Sequence, residues 1–197
     1  MADHERLTQQ LRFILEADRL KHVQRRSYLA DGSRVENSAE HSWHLALMAL
    51  VLAEHANEEI NAYRVMQMVV VHDLVEIDAG DTYLYDEDGQ SDKAEREAAA
   101  ADRLFGLLPA DQAAELLALW QEFEARETGD ARFANSLDRL MPLLHNYTSG
   151  GRAWKDHGIR GEQVRRRLSV MGDGSAELWA YAQSIIEEAV AEGMLGS

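Results

Sequence analysis

Along most of this chain, hydrophobic and polar positions alternate with the three- and four-residue spacing of helices. In residues 3–20 the apolar positions recur on one face with charged residues between them: Leu7, Leu11, Ile14, Leu15 and Leu20. Such a stripe predicts an amphipathic helix. We expect this first helix to pack on the outside of the core.

A more central helix is predicted for residues 39–55, where nearly every position is apolar. Asn37 and Ser38 precede it and are good N-terminal caps, because their side chains accept hydrogen bonds from free backbone N–H groups. His41 lies four residues before Leu45, so both occupy the same inward stripe. We therefore expect the imidazole of His41 to point into the core.

A third helical pattern begins near Asn61, which is a suitable N-terminal cap, and ends in a run of ionisable residues. The adjacent His72 and Asp73 follow its apolar part, and Glu76 lies four residues after His72 on the same face. Asp81 follows soon afterwards, directly after Gly80. Such a group of ionisable side chains is unfavourable in an apolar core but suits a metal site.

Helical patterns continue over residues 91–108, 110–126, 131–147, 162–171 and 177–192. In the segment 131–147, Asp138 adjoins the apolar stripe, and a carboxylate there needs a partner. Ala, Leu, Glu and Arg dominate, and proline occurs only 2 times, which is typical of helices. Because there is no repeat or low-complexity linker, we predict an all-α fold with residues 1–197 in one domain.

Two runs of charge were considered as binding sites. The acidic residues 85–89 lack the full ligand spacing of a calcium-binding EF-hand loop, so we predict a solvated surface excursion. In the run 165–167, three consecutive arginines on a helix cannot all face the same way. A solvated or interface role is favoured there over phosphate binding.

Net charge and composition exclude several classes of function. With 20 Lys and Arg against 35 Asp and Glu, the formal charge of −15 disfavours an extended nucleic acid as a partner. A small phosphorylated metabolite remains possible, because local arginines or a bound cation can reverse the potential in a pocket. The chain has no cysteine, so a metal would be held by histidine and carboxylate. The charged N-terminus and the absence of a bilayer-spanning apolar run predict a cytoplasmic protein without membrane association.

Four polar residues lie inward or nearly inward on otherwise apolar helices: His41, His72, Asp73 and Asp138. Any one of them alone would be read as a hydrogen-bonded core residue. A shared cation satisfies all of them together. Two imidazoles and two carboxylates suit one divalent ion, Mn²⁺, Co²⁺, Fe²⁺ or Zn²⁺, and leave positions open for water.

Together with the helical pattern, three stretches carry a family resemblance: Glu36-Asn-Ser-Ala-Glu-His41-Ser-Trp, His72-Asp-Leu-Val-Glu76-Ile-Asp-Ala-Gly80-Asp81-Thr and Leu137-Asp138-Arg139-Leu140. The chain resembles the HD-domain metal-dependent phosphohydrolase superfamily, in the branch of the bacterial 5′-deoxynucleotidases and their human HD-domain relatives. The resemblance extends from the first helix to Tyr147 and implies an HD-domain helical bundle with peripheral C-terminal helices. It also implies a homodimer.

The resemblance implies specific roles for the matching residues. The four inward residues would bind one divalent metal, Glu76 would assist catalysis, and Asp81 would align water or substrate. An arginine shortly before the first histidine contacts the phosphate in the family, and counting back from His41 gives Arg26 rather than Arg25. Ser27 follows, where the bacterial nucleotidases often have tryptophan.

The predicted function is hydrolysis of (deoxy)nucleoside 5′-monophosphates to a nucleoside and inorganic phosphate. In this hypothesis Arg26 offsets charge on the phosphoryl oxygens, and Glu76 or Asp81 moves the protons. One alternative is hydrolysis of another small phosphorylated metabolite by the same ligands. The other is a non-catalytic helical protein with a structural metal, which would have no use for these three further residues.

Overall fold

The computed structural model describes residues 2–86, 89 and 91–196, and helices dominate this part of the chain. They are α1 (Ala2–Ala17), α2 (Ser38–Leu52), α3 (Ala62–Val71), α4 (Glu76–Ala79), α5 (Lys93–Phe105), α6 (Ala110–Ala125), α7 (Gly129–Thr148), α8 (Arg152–Asp156), α9 (Gly161–Leu168), α10 (Met171–Gly174) and α11 (Ala176–Ala191). Short 3₁₀ turns occur at Asp18–His22, Ala53–His55 and His72–Val75. The predicted helical fold is confirmed.

A small antiparallel hairpin, β1 (Gln24–Tyr28) and β2 (Val35–Asn37), interrupts the helices between α1 and α2. The sequence of β1, Gln-Arg-Arg-Ser-Tyr, has no alternation of apolar and polar residues that would predict a strand. Side chains of a strand nevertheless alternate between its faces. Ser27 is accordingly buried while Arg26 is exposed.

The main hydrophobic core forms where α2, α3 and α7 pack together, and Leu45, Met68 and Leu137 are fully buried there. The C-terminal helices were expected at the periphery. Their inner faces nevertheless join this core, through Val164 of α9 and Ile186 of α11. These helices thereby contribute buried apolar surface to the same cluster that surrounds α7.

The predicted caps set the start of the central helices. Asn37 accepts a hydrogen bond from the backbone N–H of Glu40 at 3.0 Å, and the Glu40 side chain accepts one from the Asn37 N–H at 3.3 Å. This reciprocal capping box fixes the first turn of α2. Asn61 caps α3 by accepting from the N–H groups of Tyr63 and Arg64.

Helix α1 is amphipathic as predicted, but its apolar stripe faces outward. Phe13 is buried in a second cluster of core residues, and Arg6 forms an ion pair with Asp111 of α6. The four leucine and isoleucine side chains of the predicted stripe are exposed: Leu7, Leu11, Ile14 and Leu15. The face of the helix that packs on the protein is therefore not the face that its apolar periodicity indicated.

Helix α2 also presents apolar residues on its outer side. Its inner positions are buried as expected, whereas four large side chains are exposed and are together called the α2 face: Trp43, Leu47, Leu50 and Val51. No charged residue occurs from position 41 to position 53. A helix that is apolar all round normally has both sides covered.

Two further expectations concern the surface. Among the described residues, no helix combines the length and the apolar character needed to cross a membrane. Asp86, in the predicted acidic loop, is exposed. Glu87 and Asp88 of that loop lie outside the described residues.

Candidate functional site

His41 lies in the first turns of α2 and is completely buried. Its Nε2 is 3.0 Å from Oδ1 of Asp138 on α7. The other ring nitrogen, Nδ1, is 3.4 Å from Oε2 of Glu36 at the end of the hairpin. One imidazole thus stands between two carboxylates from different elements.

His72 and Asp73 occupy the 3₁₀ turn that follows α3. Nδ1 of His72 donates a hydrogen bond to the carbonyl of Val69 at 2.9 Å, which leaves Nε2 as the nitrogen available to a ligand. This Nε2 is 3.0 Å from Oδ1 of Asp73 and 3.8 Å from Oδ1 of Asp138. The turn brings both adjacent side chains to the carboxylate of α7.

The resulting cluster has the composition of a metal centre. One donor atom each from His41, His72 and Asp73 lies within 4.8 Å of the others, and Asp138 adjoins this group through the contacts above. His72 Nε2 is buried and makes no hydrogen bond with any residue the structure describes, despite its short distance to Asp73. Nitrogen and oxygen donors without sulfur suit a borderline or hard divalent cation. The donor set fits one such ion, and its binding by these four residues stays a prediction.

Charge within the cluster favours a cation. Burial raises the pKa of Asp73 and of Asp138, but the neighbouring histidines outweigh it and hold both pKa values below their usual range. Burial lowers the pKa of His72, whereas Asp73 and Asp138 raise it to about 10. In the metal-free chain His72 therefore retains a proton near neutral pH, and a metal ion would replace that proton.

The hairpin supplies an arginine to the cluster. Arg25 is largely buried, and its Nη1 donates to Oδ2 of Asp73 at 2.7 Å. Arg26, the residue predicted to bind phosphate, is exposed and lines the adjacent cavity together with Arg25. The role of Arg26 stays a prediction. The sequence analysis ranked Arg25 lower than Arg26. The side chains of a strand alternate between its two faces, and without recognising the strand it is not possible to tell which arginine faces the cluster.

Glu76 and Asp81 both reach the charged cluster. Ser38 donates its hydroxyl to Oε2 of Glu76 at 2.6 Å. Burial and the charge of Asp73 raise the pKa of Glu76 well above its usual value, and burial also raises the pKa of Asp81. Gly80, at φ +75°, adopts a conformation that glycine tolerates best and turns the chain toward Asp81. Their catalytic roles stay predictions.

Glu36 is a buried carboxylate to which the sequence analysis gave no role. Besides His41, its oxygens lie 3.3 Å from the Ser27 hydroxyl, 3.7 Å from Nε of Arg25 and 3.8 Å from Nδ1 of His145. Burial raises the pKa of Glu36, but His41 and Arg25 outweigh it and lower the pKa overall. Glu36 therefore connects the hairpin, α2 and α7 behind the candidate metal centre.

A cavity of about 640 Å³, including its open mouth, begins beside this cluster. Asp138, Asp81 and Arg25 line its charged end. The other walls come from β1, the loop after α4, and α7 to α9: Arg26, Ser27, Thr82, Tyr83, Leu84, Tyr85, Arg139, Pro142, Leu143, Asn146, Ala153, Trp154, Val164 and Leu168. Apolar and aromatic walls with a few charged groups at one place are typical of small-molecule sites. The sequence pattern did not show that C-terminal helices form part of its wall.

Comparison with known proteins gives a consistent result. The family model described as HD domain matches residues 17–179. The 5′-deoxynucleotidase HDDC2 of Bos taurus is 32% identical over 135 residues, which are 68% of this chain and 64% of that protein. The human protein of the same name is 30% identical over 135 residues, with 68% and 65% covered. The chain therefore spans slightly less than two thirds of the length of these relatives.

Solved structures are similar over a larger share of the chain. A structure described as a predicted metal-dependent phosphohydrolase from Magnetospirillum magnetotacticum is 54% identical, with a TM-score of 0.92, and 98% of this chain and 100% of that chain are covered. A conserved hypothetical protein from Pyrococcus furiosus is 23% identical, with a TM-score of 0.62 and coverage of 92% and 99%. The second similarity concerns the fold alone.

Proposed function

The chain belongs to the HD domain family, and from this premise we propose that it is a metal-dependent phosphohydrolase of (deoxy)nucleoside 5′-monophosphates. The products would be a nucleoside and inorganic phosphate. The observation that carries the proposal is the convergence of His41, His72, Asp73 and Asp138 in one cluster beside a cavity that Asp138 lines. A structural metal would not need an adjoining cavity with further charged groups.

The metal would be held by these four residues. When bound, a divalent cation neutralises phosphoryl oxygens and makes water a better nucleophile near neutral pH. The buried donor atoms and the second contacts of both imidazoles support this assignment, because partners on the far nitrogens orient the rings. Which divalent ion is bound depends on availability as much as on affinity.

Proton transfer is assigned to Glu76 and Asp81. Ser38 occupies Oε2 of Glu76, which leaves Oε1 for a proton. The raised pKa values of Glu76 and Asp81 keep protons on these carboxyl groups closer to neutral pH than on ordinary carboxyls. Either group would thus be suited to pass a proton to the leaving oxygen or to take one from water.

Positive charge for the phosphate would come from the hairpin. We assign the phosphate oxygens to Arg26, whose side chain is free of ion pairs with the described residues and lines the cavity. Arg25 is already engaged by Asp73 and would hold that carboxylate in place. A guanidinium directed at developing negative charge stabilises the transition state.

The remaining cavity supports a nucleoside as the other part of the substrate. Its walls beyond the charged end are largely apolar and aromatic, with Tyr83, Tyr85 and Trp154 among them. Such walls suit a planar base and a pentose. The similarity to proteins named 5′-deoxynucleotidase supports the same class of substrate for this chain.

Hydrolysis of another small phosphorylated metabolite is the second candidate. Ser27 stands where a tryptophan often follows the phosphate-binding arginine in bacterial nucleotidases, and its hydroxyl donates to Glu36. If Ser27 and Glu36 do not bind the nucleoside, the same metal centre would act on a different phosphate ester. The third alternative, a structural metal without catalysis, predicts no phosphate release at all.

The experiment removes metal with a chelator, restores Mn²⁺, Co²⁺, Fe²⁺ or Zn²⁺ separately, and measures phosphate release from a panel of monophosphates. We expect release from deoxynucleoside 5′-monophosphates with at least one metal. Preference for a sugar phosphate without a base would favour the second candidate. Absence of release from every substrate with every metal would contradict the enzyme assignment.

Assembly and location are proposed more simply. The exposed α2 face supports a homodimer, because large uncharged surfaces on one helix are usually covered. Sedimentation of the purified chain tests it. The cytoplasmic localisation stays a prediction, for which cell fractionation is the test.

A further inference from the structure

One wall of the cavity follows a single helix away from the candidate metal centre. Asp138, Arg139, Pro142, Leu143 and Asn146 of α7 all line it. Asn146 lies 8 residues after Asp138. At about 1.5 Å per residue, this separation is roughly 12 Å along the axis, comparable with the length of a nucleoside monophosphate.

The amide of Asn146 has one partner and one unpartnered atom. Its Nδ2 donates to the carbonyl of Pro142 at 2.8 Å, which fixes the amide orientation, because the opposite orientation would place two oxygens together. Oδ1 is buried and accepts no hydrogen bond from any of the described residues, and the whole residue is only 8% exposed. Buried acceptors normally accept a hydrogen bond, so we expect a donor from outside the described residues to bind this oxygen.

A second unpartnered atom of the opposite kind lies on the same wall. Nε of Arg139 is buried and donates to no described residue, although its Nη1 is 3.8 Å from Oδ2 of Asp138. A donor therefore lies nearer the metal end and an acceptor lies farther away. A nucleotide fits this order, because its phosphate and sugar oxygens accept hydrogen bonds and the edge of its base carries N–H donors.

Another buried amide on α7 shows that an unpartnered oxygen alone is insufficient. Asn135 also has an unpartnered Oδ1, but its Nδ2 donates to the carbonyls of Phe123 and Ala131, and it does not line the cavity. Asn146 differs because the residue is part of the cavity wall. Around it, Leu143, Trp154 and Val164 supply an apolar surface suited to a planar ring.

We propose that Oδ1 of Asn146 accepts a hydrogen bond from an N–H group on the nucleobase of the substrate. The inference rests on the proposed nucleotide substrate and names the residue that recognises its base. Adenine and cytosine offer an amino group, and guanine, thymine and uracil offer a ring N–H. Asn146 therefore favours substrates with a base over sugar phosphates without one, and distinguishes poorly among bases.

The test compares substrates that share the reacting end. Phosphate release is measured with 2′-deoxyadenosine 5′-monophosphate and with 2-deoxyribose 5-phosphate, for wild type, Asn146→Leu and Asn146→Asp. We expect Asn146→Leu to lower kcat/KM for the nucleotide by about 10-fold to 100-fold and to leave the sugar phosphate within about 2-fold, because only the base contact is lost. Asn146→Asp keeps an acceptor but loses the donor to the Pro142 carbonyl, so it should recover only part of the nucleotide activity.

The control variant is Thr148→Ala. Thr148 donates its hydroxyl to the carbonyl of Leu144 at 2.8 Å, the same type of helix contact that Asn146 makes, but it lies outside this cavity. Neither substrate should be affected by it. An equal fall for both substrates in Asn146→Leu would show a structural role and overturn the proposal, as would an unchanged preference.

A binding measurement separates this inference from the proposed activity. Metal-free protein is titrated calorimetrically with unphosphorylated 2′-deoxyadenosine. Binding by wild type that is weakened in Asn146→Leu supports the base contact even if no phosphate release is found. Equal binding by wild type and Asn146→Leu, or no binding combined with no nucleotide preference, overturns it.

Discussion

Oε2 of Glu36 lies 3.4 Å from Nδ1 of His41, and both side chains are almost completely removed from solvent. The other ring nitrogen of His41 faces Asp138. A carboxylate behind a metal-binding histidine fixes the ring orientation and increases the basicity of the ligating nitrogen. The hairpin therefore reaches the candidate metal centre through Glu36 as well as through Arg25.

We expect Glu36→Gln to weaken Mn²⁺ binding by about 10-fold to 100-fold, because the amide cannot replace the carboxylate charge behind His41. Calorimetric titration of chelator-treated protein measures the change. Glu40→Gln is the matched control, because a glutamine preserves the capping box. The Glu40 carboxylate pairs with the exposed Arg34 and not with His41. Equal metal affinity in Glu36→Gln and wild type would contradict the role of Glu36.

Metal affinity should increase with pH. The pKa of His72 is raised to about 10 in the metal-free chain, so the ion must displace one proton throughout the neutral range. Below that pKa, each unit of pH removes about 10-fold of proton competition, and the apparent affinity rises by the same factor. Titrations at pH 6, 7 and 8 in one buffer system measure the slope, and an affinity independent of pH would show that His72 is already neutral.

Loss of Arg26 should lower kcat/KM by about 100-fold, the scale found when a donor to a developing negative charge is removed. Metal stoichiometry and thermal stability should stay at their wild-type values. Arg34→Ala, which removes an exposed arginine paired with Glu40, is the control and should retain activity. Full activity of Arg26→Ala together with an inactive Arg25→Ala would assign the phosphate to Arg25 instead.

The α2 face should mediate self-association. We expect the wild-type chain to sediment as a dimer and Leu50→Glu to sediment as a monomer, because a buried unpaired carboxylate opposes association. Leu11→Glu, on the exposed stripe of α1, should leave the dimer intact. A monomeric wild type, or dissociation caused only by the α1 variant, would refute this interface.

The sequence predicted those features that depend on local periodicity and on helix caps. Apolar spacing predicted the helices, and Asn37 and Asn61 cap them as expected. His41, His72, Asp73 and the later Asp138 were recognised as one group because each is a polar residue on an apolar stripe. The structure places them within contact of one another.

Other features depend on contacts that no local pattern encodes. The hairpin strand β1 has no alternation of apolar and polar residues, so the strand was not recognised and Arg25 was not assigned to the cluster. Glu36 was missed as well, because β2 has only three residues. The stripe of α1 was correctly recognised as apolar, but its exposure depends on which neighbours α1 meets. Similarly, the contribution of Asn146 and Trp154 to one cavity requires the helices to be placed in three dimensions.

The central claim is that one divalent ion, held by His41, His72, Asp73 and Asp138, is required for phosphate release. The most direct measurement determines bound Mn²⁺ per chain and phosphate release together, in chelator-treated wild type and in Asp138→Ala. We predict one ion per wild-type chain with release restored as it binds, and loss of both in the variant. Equal stoichiometry and equal release in Asp138→Ala and wild type would contradict the claim.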